Sequence, residues 1–352
     1  MDKSEFLPEE GMAERFLAFC AAPGRTFAEE VEALLVRFRE LAGAMTPVMV
    51  RFHLSDIANQ AGELRLLLRR EGFSGAWSMI GQPPLPYCKI ALEAWLTERP
   101  LQAVTFLPGE TLEETGSYDQ MRRAFLDLEK KLAPGRSVAD NLLRTWIYCR
   151  DIDNNYGGLV KARREYFTAI GLTAETHYVA STGIAGCAEK TSQLVWMDSL
   201  LTAPGAPPEQ MEYMHAPEHL SPTHIYGVTF ERGTRLVHRD RSRYFLSGTA
   251  SIDKYGKIVH PGDPSAQCER MLDNVAALLE NHQGSLRDMR LAVVYLRDAS
   301  DRGAVEKILA ERIGRHCAWI VHHAPVCRPG WLVELEGIAV NGRGDAQHRL
   351  FV

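Results

Sequence analysis

An amphipathic helix, an apolar strand running into Asp, and a second helix recur three times along this chain. The first copy has the helix TFAEEVEALLVRFRELAG from Thr26, the strand VMVRFHLSD reaching Asp56, and the helix ELRLLLRREG. The second has YDQMRRAFLDLEKKL from Tyr118, LLRTWIYCRD reaching Asp151, and GGLVKARREYFTAIG. The third has PSAQCERMLDNVAALLENHQG, MRLAVVYLRD reaching Asp298, and DRGAVEKILAERIG. Internal repetition at this scale restricts the fold to units that stack on one another. Apolar residues at i, i+3, i+4 and i+7, such as Cys268, Met271, Leu272, Val275, Leu278 and Leu279, mark helices with one face on a sheet. The strands are rich in Val, Ile, Tyr and Trp, the composition of half-buried strands.

Two further strand-like runs follow each second helix: GAWSMIGQ and YCKIALEAWL, THYVASTGI and SQLVWMDSLL, HCAWIVHHAPV and GWLVELEGIAV. Matching positions lie 35 residues apart from Asp56 to Ala91, 45 from Asp151 to Trp196 and 36 from Asp298 to Glu334. An extra GCAEK loop near Cys187 is expected to account for the longer middle interval. Ahead of its helix, the third copy shows a hairpin in RYFLSGTASIDKYGKIVH, turning at Gly256. The second has a shorter candidate, LQAVTFLPGE, and the first has none. The proline-rich stretch from Thr202 to Gln210 reads as a linker. The expected fold is α/β (α+β), built of β-β-α-β-α-β-β units with helices on one face of a mixed sheet. Their expected bounds are residues 1–100, 101–205 and 206–352.

Composition narrows the function classes. Hydrophobic residues make up 45% of the 352 and charged residues 24%, the balance of a folded globular protein. A net charge of −5 gives no basic face for nucleic acid, although Arg232, Arg235, Arg239, Arg241 and Arg243 cluster locally. The seven cysteines are scattered and show no Cys-x-x-Cys, against a disulfide framework or a zinc ribbon. No signal peptide is expected at Met1, and no apolar run approaches the ~20 residues of a membrane span. A cytoplasmic setting is the expectation.

The third copy resembles the RidA/YjgF superfamily. It carries Ser247-Gly248, Gly262-Asp263, Gln267, Asn274, Asp298 and Val333-Glu334-Leu335-Glu336 in the family's order, over about Gly233 to Val352. The first two copies share only the helix and strand grammar. Within that superfamily the chain is similar to the long form called chorismatase. The likeness rests on Ser247 to Ser251, on His260 to Asp263, on Thr182 to Ile184 and on Cys327-Arg328. Chorismatases split pyruvate from chorismate, so the resemblance implies an enzyme for that enol ether or a similar carboxylate-bearing one. It also implies a RidA/chorismate-mutase-like fold, no cofactor and a pocket between α/β units. The chain would be a monomeric pseudo-trimer or a homo-oligomer (trimer), with a small-molecule substrate and neither nucleic acid nor membrane as partner. The Arg that anchors substrate in imine deaminases is replaced by Trp319, and Trp146-Ile147-Tyr148 stands where chorismatases carry Trp-Asn-Tyr. An enamine or imine hydrolase and a non-catalytic small-molecule binder remain the alternatives.

Glu334 is the candidate catalytic group. A carboxylate in an apolar strand is costly to bury, and burial raises its pKa toward the range of a general acid. The equivalent positions in the other copies are Ala91 and Trp196, whereas Glu336 has the acidic counterparts Glu93 and Asp198. A group common to all three copies is expected to be structural. The alternative for Glu334 is a carboxylate paired with a cation at a subunit interface. Cys327, Gly248 and Ala250 are expected to shape the pocket. Arg232, and more weakly Tyr226 and Arg164, are candidate substrate anchors. His322 and His323 point to opposite faces of a strand, so no metal is expected there.

Overall fold

A computed structural model describes residues 2–202 and 210–351. The interior of the expected proline-rich linker, residues 203–209, lies outside them. The first part of the chain forms β1 (Lys3–Phe6), β2 (Glu14–Cys20), α1 (Phe27–Ala42), β3 (Thr46–Leu54), α2 (Ile57–Arg70), β4 (Trp77–Gly81), β5 (Pro84–Leu85) and β6 (Ile90–Thr97). Next come β7 (Val104–Leu107), α3 (Ser117–Lys131), α4 (Val138–Asn141), β8 (Leu142–Cys149), α5 (Ile152–Ala169), β9 (Ala180–Ala185) and β10 (Val195–Thr202). The last part forms β11 (Met211–Tyr213), β12 (Gly233–Val237), β13 (Ser242–Ala250), α6 (Pro264–Glu280), β14 (Met289–Leu296), α7 (Arg302–Arg312), β15 (Ala318–His323) and β16 (Val333–Asn341).

These strands make three mixed sheets. Their orders are β1-β2-β6-β3-β4, β7-β10-β8-β9 and β11-β12-β13-β16-β14-β15-β5. One pattern underlies all three: the strand before the second helix runs parallel to the strand after it, and every other pairing is antiparallel. The α/β class expected from the sequence is the class observed. Each recurrent Asp stands at a helix start. Asp56 caps α2 by accepting from Asn59 N–H, and Asp298 accepts from Ser300 N–H, the ordinary N-cap arrangement. In α1 the start is fixed by a capping box between Thr26 and Glu29, which satisfies two otherwise unpaired amides.

The helices cover one face of each sheet, and the opposite faces meet in a shared core. There Trp95 of β6 packs on Phe245 of β13 with centroids 6.0 Å apart, and Phe106 of β7 packs on Trp146 of β8 at 6.2 Å. No helix among the described residues is long and apolar enough to cross a membrane.

Four sequence expectations need correction. The second copy's candidate hairpin, LQAVTFLPGE, holds a single strand, β7, paired with β10, so that unit has one strand ahead of its helix and not two. The first sheet does open with a hairpin, β1–β2; β1 is only four residues at a sheet edge, too short to show alternation. In the third sheet the strand paired with β13 lies upstream, at β12, not downstream of Gly256. The Gly256 turn exists, but beyond it only Ile252 and Ile258 form a bridge. The upstream strand was obscured by its arginines. Of that basic cluster only Arg239 is exposed, and the others are buried on partners such as Glu14 and Glu212. Finally, the longer middle interval comes mostly from α5 and the connection after it. Helix α5 has 18 residues against 14 in α2, and the loop at Cys187 adds little.

Candidate active site

Glu334 sits on β16, opposite Ala250 of β13 and Tyr295 of β14. The β13–β16 ladder shifts register between Leu246 and Thr249, a bulge that leaves Gly248 beside the Glu334 carboxyl. A Cβ built on Gly248 would collide with Glu334 Oε1, so a larger residue there would displace the carboxyl from this position. The bulge is braced from both sides. Gly248 N–H donates to Thr182 Oγ1 at 3.0 Å and Ser181 N–H donates to Ser247 Oγ at 2.9 Å. On the helix side, Asn274 Nδ2 donates to the carbonyls of Ala250 and Ile252.

Glu334, Gly248, Ala250 and Ile252 line one wall of a recess of about 470 Å³ between the second and third sheets. Tyr156 and Arg163 of α5 with Ser181 and Gly183 of β9 form the facing wall, and Tyr226, Phe230, Arg232, Cys327 and Trp331 close it. Gln267 holds the closing loop: its amide donates to Gly330 O and accepts from Leu332 N–H. Arg232 donates to Ser221 O at 2.8 Å, and its guanidinium lies 5.4 Å from the rings of both Tyr226 and Phe230.

The electrostatics favour a proton on Glu334. Burial first, and then the nearby Glu336 carboxylate, push its pKa up to about 8; Arg232 and Arg144 oppose this only in part. Cys327 is pushed up to about 12, chiefly by burial, so its thiol is not an activated nucleophile. Arg163 is 2% exposed and donates to Ser181 Oγ at 3.3 Å. Its Nε and Nη2, the Tyr226 hydroxyl and Trp331 Nε1 have no hydrogen-bond partner among the described residues. Buried donors of this kind are normally satisfied, and here they stand around the recess.

The structure brings together Glu334, Arg232, Tyr226, Cys327, Gly248 and Ala250. It does not bring in Arg164, which is exposed. The inward residue is Arg163, four residues after Leu159 and three before Tyr166, both buried on the same face of α5. That spacing could have found it in the sequence. Tyr156, three residues before Leu159, shares that face, whereas Phe230 and Trp331 carried no such signal, because loops deliver them. Glu336 lies at the centre of the molecule: Arg144 pairs with it and Tyr295 donates to it at 2.7 Å.

The sequence profile described as Endoribonuclease L-PSP matches residues 234–341. A 3-aminoacrylate deaminase, RutC, from Acinetobacter baylyi is 30% identical over 100 residues, 27% of this chain and 76% of the relative. The chain belongs to the RidA/YjgF superfamily. Within it, a chorismatase from Streptomyces rapamycinicus is 39% identical over 120 residues, 31% of this chain. That match spans only about a third of the chorismatase, 36% of its length. A chorismatase crystal structure superposes with a TM-score of 0.69 at 22% identity, over 94% of this chain and 99% of the other. The whole-chain fold is therefore that of the superfamily's long form.

Proposed function

We propose that the chain is a chorismatase-like enzyme that releases pyruvate from chorismate or a similar carboxylate-bearing enol ether, with Glu334 as general acid. One observation carries this reading: a buried carboxyl, its pKa raised to about 8 by burial and by Glu336, shares one recess with buried guanidinium groups. Enol-ether hydrolysis needs a proton delivered to the vinylic carbon. Glu334 would supply it, leaving an oxocarbenium at the ether carbon. Water then adds there, its proton returns to the Glu334 carboxylate, and the hemiketal collapses to pyruvate and the ring alcohol. Arg163 and Arg232 would hold substrate carboxylates. Gly248 and Ala250 would leave room for the substrate, and Cys327 would shape the wall beside it.

The three sheets are read as diverged copies of one RidA-like unit, over residues 1–100, 101–205 and 206–352, with the active site in the last. Their common strand order supports this, as does the register that sets Glu93, Asp198 and Glu336 at like positions. One chain would then provide the interfaces of a trimer.

The test is incubation of purified protein with chorismate, following pyruvate, beside Glu334→Gln. We expect release by the wild type and a loss of at least ~100-fold in the variant. No release by the wild type removes chorismate as substrate. The likeness to a 3-aminoacrylate deaminase then makes an enamine substrate the next to assay. Binding that persists unchanged in Glu334→Gln, with no turnover of either substrate, would favour a non-catalytic binder.

A further inference from the structure

Glu334 is buried in a recess rich in donors, yet among the described residues none gives it a hydrogen bond. Its neighbours act on it through burial and charge. The Gly248 amide stands beside it, on a residue so close to the carboxyl that a Cβ there would collide with Glu334 Oε1. A carboxylate next to a free backbone amide ordinarily accepts from it, and such a bond favours the charged form. Here the amide is already taken. Gly248 N–H donates to Thr182 Oγ1 of β9 at 3.0 Å. The same oxygen accepts from Arg144 Nη2 at 2.7 Å, and that nitrogen also donates to Glu336. A hydroxyl oxygen has two acceptor sites, and both are filled. Thr182 is 1% exposed, and a β-branched side chain has little χ1 freedom. The like positions in the other sheets differ. Three residues before Gly81, Ala185 and His323, the partners of Leu54, Cys149 and Leu296, stand Ser78, Thr182 and Ile320. Ser78 Oγ donates to Asp198, and Ile320 has no hydroxyl. The hydroxyl that receives an amide from the neighbouring sheet stands at the junction that holds the acid.

We propose that Thr182 is a positioning residue for the acid: its hydroxyl oxygen takes the Gly248 amide away from the Glu334 carboxyl, which therefore keeps its proton. This rests on the reading of Glu334 as general acid, and adds that a residue of the second sheet sets the strength of that acid. Without the hydroxyl, the amide would be left unpaired in a buried bulge, a costly state, with Glu334 beside it to accept. The new bond would stabilise the carboxylate and make the group a poorer holder of its proton. The other charged groups that act on Glu334 are Glu336 of the same strand, Arg232 and Arg144. Arg163 and Tyr156 of α5 face it across the recess, with Tyr226, Cys327 and Arg328 from the closing loops. Tyr295 is its partner on β14. Thr182→Val replaces none of these and keeps the shape of the side chain.

The test follows the Glu334 carboxyl carbon by NMR against pH, in full-length protein isotopically labelled at its glutamate carboxyls. Its resonance is the one that Glu334→Gln lacks. No substrate is needed, so a chain that releases no pyruvate still answers the question. The wild type should titrate near 8. Thr182→Val should titrate lower by about one pH unit or more, and Thr182→Ser, which keeps the oxygen, should stay close to the wild type. Where chorismate is turned over, the alkaline limb of the pH profile should move with the carboxyl in each variant. Should Thr182→Val not fold, Thr182→Ala is read in its place. A merely structural Thr182 would change the melting temperature and leave the titration where it was, which overturns the proposal. So does a Thr182→Ser that falls as far as Thr182→Val, or a wild-type Glu334 that titrates as an ordinary carboxyl.

Discussion

Glu334 keeps its proton because it has been taken out of water and set beside a second carboxylate. The consequence for pH is directional. An acid that titrates near 8 in the folded chain is competent below that value, so pyruvate release should fall as pH rises through about 8. The same shift acts on stability. A carboxyl with a folded pKa of about 8, above its usual 4.5, binds its proton more tightly folded than unfolded. The folded state therefore loses stability as pH climbs from about 4.5 to about 8. Each decade costs about 1.4 kcal/mol, a loss on the order of a few kcal/mol in all. Thermal melts of wild type and Glu334→Gln should coincide near pH 4 and separate by pH 8.5, with the variant the more stable. Equal melting temperatures at both ends would mean that Glu334 is not held neutral.

At the scale of elements, helices and central strands were legible because their signals are local. Apolar spacing placed α1, α3 and α6, and the apolar run around Glu334 placed β16. What the sequence hid depends on partners far away in the chain. β12 went unread beside a local cluster of arginines, because the carboxylate that buries Arg241 and Arg243 is Glu14, over 220 residues distant. The hairpin of the first sheet was hidden by an edge strand of four residues. On α5 the error was one residue of helical phase, about 100°, which is the difference between facing the recess and facing solvent. That phase can be measured. Arg163→Met should raise KM for chorismate at least ~10-fold, since a charged anchor contributes about 1.5–3 kcal/mol, whereas Arg164→Met should leave it unchanged. The opposite ranking would put the wrong face of α5 against the substrate.

In the whole molecule, each pair of sheets is joined by an ion pair buried between them. Arg51 of the first sheet reaches Asp198 of the second at 2.9 Å, Arg144 of the second reaches Glu336 of the third, and Arg243 of the third reaches Glu14 of the first at 2.7 Å. Two of the acids common to the copies, Asp198 and Glu336, thus became cross-braces, whereas Glu93 pairs with Arg51 inside its own sheet; the position that differs, Ala91, Trp196 or Glu334, decides where a pocket can form. Trp196 in place of an acid fills its position against Gly109. Arg51 is the brace with most at stake. It is fully buried, pairs with Glu93 as well as Asp198, and lies 4.8 Å from the Trp146 ring. Asp198 has other donors in Ser78, Trp196 and Gly109, but among the described residues Glu93 has only His53 at 3.4 Å. Arg51→Met should therefore cost about 3–5 kcal/mol, most of it from the carboxylate left at Glu93. Adding Glu93→Leu should recover much of the loss, because a buried pair replaced whole by apolar groups is often close to neutral. Denaturant unfolding of the single and double variants reads this directly. If the double variant is no more stable than the single, the cost of Arg51→Met lies in lost packing against Trp146 and not in an orphaned charge.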